Sequence, residues 1–162
     1  MSELDQQTFI PFISDYGFKV TFGNEKNDVF LKRALRALLQ LSKPIRNIKF
    51  SKATFEGLHK ESRSGIYDMI CEDDSGDIFI VEMQMQAQAV FLNRLQFYAF
   101  QRFDNLVKKG KFDFNIKERI YCIAILGANI SPVSTYHNTL TLKNQDGVEF
   151  SNQIQYVTVE LE

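Results

Sequence analysis

Between Gly65 and Gln84 the chain alternates apolar and polar positions in two short runs. Ile66, Asp68 and Ile70 alternate with Tyr67, Met69 and Cys71; further on, Ile78, Ile80, Glu82 and Gln84 alternate with Phe79, Val81, Met83 and Met85. A period of two in β-branched and aromatic residues predicts two strands, and the glycine between them marks a turn. Each run carries one inward-facing acid, Asp68 on the first and Glu82 on the second. A three-residue loop of Asp74, Ser75 and Gly76, with Gly76 left-handed, sets Asp73 opposite Asp77 and, counting back, Asp68 opposite Glu82. A four-residue loop slips the register by one and sends the two acids to opposite faces.

The three-residue register has a chemical consequence. Directly opposed residues have Cβ atoms roughly 4.5–5.5 Å apart, and like charges there repel. Two carboxylates on an apolar face need a compensating cation. A hard divalent ion such as Mg²⁺, held by one or two carboxylates and a substrate phosphate, fits. The alternative places Asp68 at a solvated strand edge and pairs Glu82 with a nearby Lys or Arg. Spacing alone leaves both readings open.

The remaining pattern predicts an α/β domain. Ser14–Gly23 reads as a short helix, capped by Ser14 or Asp15 and ended by Gly23. Asn27–Leu41 is amphipathic, with Leu31, Leu35, Leu38 and Leu39 as its stripe and Asn27 as its cap. Ile45–Phe55 contains a strand, and Glu56–Ser64, with His59 and Lys60, reads as a polar loop. Ala87–Lys109 is the longest predicted helix, its apolar side marked by Phe91, Leu95, Tyr98, Ala99 and Leu106. In it Arg94 and Tyr98 lie one turn apart. Ile120–Leu126 is continuously apolar, which suits a strand buried on both faces, parallel to Ile78–Met85 through a right-handed crossover. Thr139–Phe150 reads as a second hairpin around Asn144–Gly147, and Gln155–Leu161 as a separate final strand. The chain breaks off on this last run, which suggests the front part of a longer protein.

Composition narrows the class. The 162 residues fit one domain, and a hydrophobic share of 44% with 15 Phe is that of a chain with a real core. The acidic, polar start MSELDQQ is no secretory signal, and no apolar run is long enough to cross a membrane, so a cytoplasmic location is expected. Cys71 and Cys122 both fall in apolar strand-like runs and read as reduced core residues. Net charge is −1, yet Lys32–Arg63 holds nine basic residues against Glu56 and Glu61, while Asp68, Glu72, Asp73, Asp74 and Asp77 crowd the hairpin. A basic flank beside an acidic hairpin suits a metal site that binds a polyanion; a solvated basic surface is the plainer explanation. Phosphate-binding glycine loops, HExxH and the serine nucleophile elbow are absent, which removes the common nucleotide, zinc-protease and serine-hydrolase readings.

Several stretches together resemble the PD-(D/E)XK nuclease superfamily, and within it the transposase-like, recombination-promoting nuclease branch. They are SDYGFKVTFG near the start, Asp68 in GIYDMI, Gly76 with IVEMQ ending at Gln84, Arg94 with Phe97-Tyr98, and Val159-Glu160-Leu161. They span nearly the whole chain. The resemblance implies a restriction-endonuclease-like core of αβββαβ order, a central mixed sheet flanked by helices, and Mg²⁺- or Mn²⁺-dependent hydrolysis of DNA. Asp68 would match the signature aspartate, Glu82 the acid of the third element, and Asp15 an acidic position in the first helix. Gln84 falls where many members carry lysine. A lysine can stabilise developing charge, whereas a glutamine can only orient groups by hydrogen bonding.

The resulting expectation is a DNA endonuclease domain linked to transposition or recombination. Asp68, Glu82 and the Met83 carbonyl would hold the metal, with Gln84 and Asp15 completing the catalytic set. Lys19, Arg36, Lys60, Arg63 and Arg94 would contact DNA, and a homodimer is left open. The rival is a catalytically silent DNA-binding or protein-interaction module on the same fold.

Overall fold

A computed structural model describes residues 10–52, 54–55, 65–86, 90–107, 114–130, 132 and 134–161. The first helix, α1 (Asp15–Phe22), begins where the Ser14 hydroxyl accepts the Gly17 N–H at 3.1 Å and ends at Gly23, whose N–H returns to the Lys19 carbonyl. The second, α2 (Val29–Leu38), is shorter at both ends than the leucine pattern predicts. Its N-cap is Asp28 rather than Asn27, and the Asp28 carboxylate pairs with Lys32 at 2.8 Å instead of capping the helix.

Six strands form one mixed sheet. They are β1 (Ile48–Phe50), β4 (Met69–Asp73), β5 (Ile78–Gln84), β6 (Ile120–Leu126), β8 (Glu149–Glu160) and β7 (His137–Lys143), in that spatial order. A separate antiparallel pair joins β2 (Thr54–Phe55) to β3 (Gly65–Ile66). The β5–β6 and β6–β8 pairs are parallel and the rest antiparallel. The third helix, α3 (Val90–Leu106), connects β5 to its parallel neighbour β6.

The hairpin has the three-residue loop. Ile78 pairs with Glu72, the Asp73 N–H reaches the Asp77 carbonyl at 3.0 Å, and Gly76 sits at φ 83°. Two corrections concern the strands. The alternation breaks at Tyr67, where the backbone leaves the ladder between β3 and β4. The Tyr67 ring therefore packs with Ile70 on the α3 side, not with Met69 and Cys71. The predicted pieces VEF and Gln155–Leu161 are one strand, β8. Its first five residues do not pair with β6 and are exposed or half-buried, so they lack the apolar signature of the buried end.

Each face of the sheet has its own core. On one side Phe18, Phe22, Leu31 and Leu35 from α1 and α2 meet Met69, Cys71, Phe79, Val81 and Val157; on the other, Phe91, Leu95, Tyr98 and Ala99 from α3 meet Ile70, Ile78, Ile80 and Cys122. Both thiols are buried and unbridged, and desolvation pushes Cys71 up to about 12, so neither is poised as a nucleophile. The stretch 56–64 read from sequence as a polar loop, with His59, Lys60 and Arg63, lies outside the described residues. So do the predicted ends of α3 at 87–89 and 108–109.

Gly76 and Gly147 separate two sources of strain. Both have positive φ, but a Cβ on Gly76 would lie 2.9 Å from Glu118 Cγ, whereas Gly147 has open space. Gly147→Ala should cost about 1 kcal/mol of unfolding free energy from backbone strain alone. Gly76→Ala should cost visibly more, because the Glu118 side chain must also move. Urea unfolding of the two variants checks the order.

Candidate active site at the open end of the central hairpin

The β4–β5 ladder stops at Met69 opposite Val81. One step further, side chains take over the pairing. The Asp68 N–H donates to Glu82 Oε1 at 2.9 Å, and the Met83 N–H donates to Asp68 Oδ2 at 2.8 Å. Two backbone donors that would lack strand partners are thereby satisfied, each by the carboxylate of the opposite strand. This reciprocal clasp brings Asp68 and Glu82 together. Asp68 is half-buried at the strand edge, while Glu82 is 2% exposed on the α3 face.

Burial sets the Glu82 electrostatics. Desolvation pushes its carboxyl up to about 7, and the Asp68 charge adds to the rise. The Asp68 N–H and the Arg94 guanidinium oppose it. Arg94, from α3, stands 3.6 Å from Glu82 Oε2 and donates to Gln84 Oε1 at 3.1 Å, with its guanidinium 4.8 Å from the centre of the Phe91 ring. Phe91 and Arg94 are one helical turn apart, so one helix face supplies both the platform and the charge. Gln84, Gln86, Val90, Phe91 and Arg94 line an adjoining cleft of about 410 Å³. Behind Glu82, Tyr67 and Tyr98 meet edge to face at 4.8 Å, and burial pushes the Tyr67 hydroxyl up to about 12.

The Met83 carbonyl has a favourable direction. A residue's N–H and C=O leave a strand on the same side. The Met83 carbonyl therefore faces the Asp68 side with its N–H, whereas the Gln84 carbonyl takes the Gly127 N–H on the β6 side.

The other expected residues lie farther out. Asp15 is exposed and bonded to Lys19 at 2.9 Å, and no described contact joins it to Asp68 or Glu82. Lys19 does feel the Asp68 charge, which helps raise its pKa after the larger effect of Asp15. Arg36 donates to the Leu41 carbonyl just past the end of α2. Lys43 and Arg46 line a separate cleft with Asp73, Asp74 and Asp77, at the turn end of the hairpin. Five residues of strand put that end roughly 17 Å from Glu82. Lys60 and Arg63 lie outside the described residues.

One buried acid was not anticipated as part of this face. Glu160, at the end of β8, is 3% exposed and accepts the Ile130 N–H at 3.1 Å. Leu126 separates it from Gln84 in the register, roughly 10 Å away across two strands. Its signal was the alternation of Ile154, Tyr156 and Thr158, continued to position 160.

A central antiparallel hairpin with an Asp and a Glu at its open end, followed by a helix and a parallel strand, defines a nuclease-type domain of restriction-endonuclease-like fold. A sequence profile described as PD-(D/E)XK nuclease family transposase matches residues 12–162, and the chain belongs to that family. No curated protein and no solved structure matches it.

Nucleases of this fold typically use a divalent metal, and the donors present fit one. Each carboxylate commits one oxygen to the clasp, leaving Asp68 Oδ1 and Glu82 Oε2 as hard donors. Arg94 approaches Oε2 only at ion-pair distance. Among the described residues no third His, Cys, Asp or Glu joins them. A pair of carboxylates suits Mg²⁺, which keeps several waters and takes its remaining ligands from substrate.

The raised Glu82 pKa gives a stability signature in the absence of metal. The folded state holds a proton that the unfolded chain releases above its ordinary value of 4.5. This contribution is full below that value and is lost as pH rises through about 7. Chelator-treated protein should lose on the order of 2–3 kcal/mol between pH 4.5 and 8 from this group. Glu82→Gln, which keeps the clasp oxygen, should remove most of that loss in urea unfolding across the same range.

Proposed function

We propose that this domain is a metal-dependent DNA endonuclease that hydrolyses phosphodiester bonds during transposition or recombination in the cytoplasm. The observation that carries the reading is the clasp, because it fixes two acids side by side and uses only one oxygen of each, with Glu82 Oε2 otherwise meeting Arg94 only at ion-pair distance. Asp68, Glu82 and the Met83 carbonyl would hold Mg²⁺ or Mn²⁺. Bound there, the ion would supply an activated water and offset charge on the phosphate. Gln84 presents an amide to the same cleft and orients the water or a phosphate oxygen by hydrogen bonding. Asp15 holds Lys19 at the rim, where that lysine meets the DNA backbone. Arg36, Lys60 and Arg63 extend the phosphate contacts, which predicts salt-sensitive, sequence-tolerant binding. Among the described residues no helix is long and apolar enough to cross a membrane.

A second reading has one specific observation in its favour. The clasp also closes the hairpin, so an inactive DNA-binding or protein-interaction module would have a structural reason to keep both acids. Catalysis separates the two readings.

Supercoiled plasmid incubated with Mg²⁺ or Mn²⁺ should be nicked by the wild type. Asp68→Asn should slow nicking by at least about 100-fold, the scale on which a single essential site group acts. A chelator should abolish it. Mn²⁺ should also raise the melting temperature of the wild type and leave that of Asp68→Asn unmoved. DNA binding without nicking by the wild type, and no metal-induced shift, would favour the silent module.

A further inference from the structure

Gln84 carries no charge, yet cleavage of a phosphodiester builds negative charge on the phosphate oxygens. Among the described residues, Arg94 is the cation in contact with both Glu82 and Gln84. Three features distinguish it from a surface arginine. Its plane is supported by the Phe91 ring, which limits the directions its donors can take. One nitrogen, Nη2, donates to Gln84 Oε1 and stands at ion-pair distance from Glu82 Oε2, and the side chain, 44% exposed, lines the cleft with further donors to offer. Finally, the bond to Gln84 has a polarity. An amide has an acceptor at one end and donors at the other. A guanidinium has only donors, so it accepts Gln84 in one orientation, with Oε1 toward Arg94 and Nε2 turned away. Nε2 is then the group that Gln84 offers a ligand, since its contact with the Gln86 carbonyl is long, at 3.5 Å.

We propose that Arg94 is the electrophilic and positioning residue of this site. It holds Gln84 with its NH₂ toward the scissile phosphate and sets its own remaining N–H donors against the same phosphate. The charge that Gln84 lacks is thus supplied from α3 rather than from the hairpin. This rests on the nuclease reading and adds to it a division of labour. The Gln84 amide supplies direction, and the Arg94 guanidinium supplies charge.

The test is single-turnover cleavage by wild type, Arg94→Ala, Arg94→Lys, Gln84→Ala and the Arg94→Ala/Gln84→Ala double variant, with DNA affinity measured in chelator. Thermal unfolding confirms that each variant folds. Arg94→Ala should lower the rate at saturating DNA by about 100-fold or more, as expected when one preorganised donor is removed. Its DNA affinity should change no more than about threefold, because Arg94 is one of several phosphate contacts. Arg94→Lys should recover part of the rate, since it keeps the charge and loses the fork. Added guanidinium should partly restore Arg94→Ala. The double variant should fall well short of the product of the two single losses, the mark of two groups acting together. In metal-free protein the Gln84 side-chain amide resonances should move in Arg94→Ala; unmoved resonances overturn the positioning role. Weaker DNA binding with an unchanged saturating rate overturns the proposal and leaves Arg94 an ordinary backbone contact. A wild type that cleaves while Arg94→Ala cleaves equally well overturns the Arg94 assignment alone. A wild type that cleaves nothing overturns the nuclease reading on which the assignment stands.

Discussion

The site depends on the desolvation of one carboxylate. Glu82 lies on β5, which with β6 forms the most buried strand pair of the sheet, flanked by β4 and β8, with α3 covering its face. A charge there is costly unless hydrogen bonds and opposite charge surround it. The chain meets that requirement from three directions. The Asp68 backbone donates to one oxygen, the Arg94 guanidinium stands near the other, and the carboxyl can retain its proton near neutrality. None of these fully neutralises the pair, because Asp68 adds a second negative group beside it. An arrangement that is only partly compensated is suited to accepting a further cation.

The same constraint explains why the hairpin register is so well defined. Slipping by one residue would turn one strand's share of the inward set Ile70, Ile78 and Ile80 away from α3, and it would also leave the Asp68 and Met83 N–H groups without the acceptors that close the ladder. Packing and clasp therefore favour one alignment, and the left-handed Gly76 loop favours the same one. Local turn chemistry, side-chain pairing and core burial agree at this hairpin, as expected where geometry must hold closely.

Much of this could be read from the residues. Turn chemistry and counting left two registers open, and the one with a left-handed Gly76 after Asp74-Ser75, which sets Asp68 opposite Glu82, is the register the hairpin adopts. The apolar run Ile120–Leu126 announced its own boundaries because burial on both faces leaves no polar positions to blur them. Less could be read where no such local rule operates. Tyr67 crosses to the α3 face because the chain leaves the sheet there, and alternation carries no information about where a strand pauses. The link between Arg94 and Gln84 spans a helix and a strand end; spacing within α3 paired Arg94 with Tyr98 but could not reveal a partner ten residues earlier. Glu160 was visible as part of a motif, but its burial depends on neighbouring strands that only the fold supplies.

The charge pattern is where sequence and structure diverge most instructively. Counted along the chain, the basic run lies beside the acidic hairpin. In space, Lys43 and Arg46 sit with Asp73, Asp74 and Asp77 around the turn-end cleft, so that part of the run balances acids locally. Lys32 is engaged by Asp28 and the Arg46 carbonyl, and Arg36 by the Leu41 carbonyl just past α2. Among the described residues, the cations that act on the acid pair come from outside that run. Lys19, on α1, influences Asp68, and Arg94, on α3, influences Glu82. Since α1 and α3 pack on opposite faces of the sheet, these two charges flank the open end of the hairpin from either side. A phosphate approaching that end would meet positive charge on both sides of an acidic centre. Field lines from the turn-end cluster largely cancel within a Debye length, roughly 8–10 Å at ordinary salt. Under the proposed function, near-neutral net charge is therefore no obstacle to DNA binding, because the local placement of Lys19 and Arg94 matters more than the total.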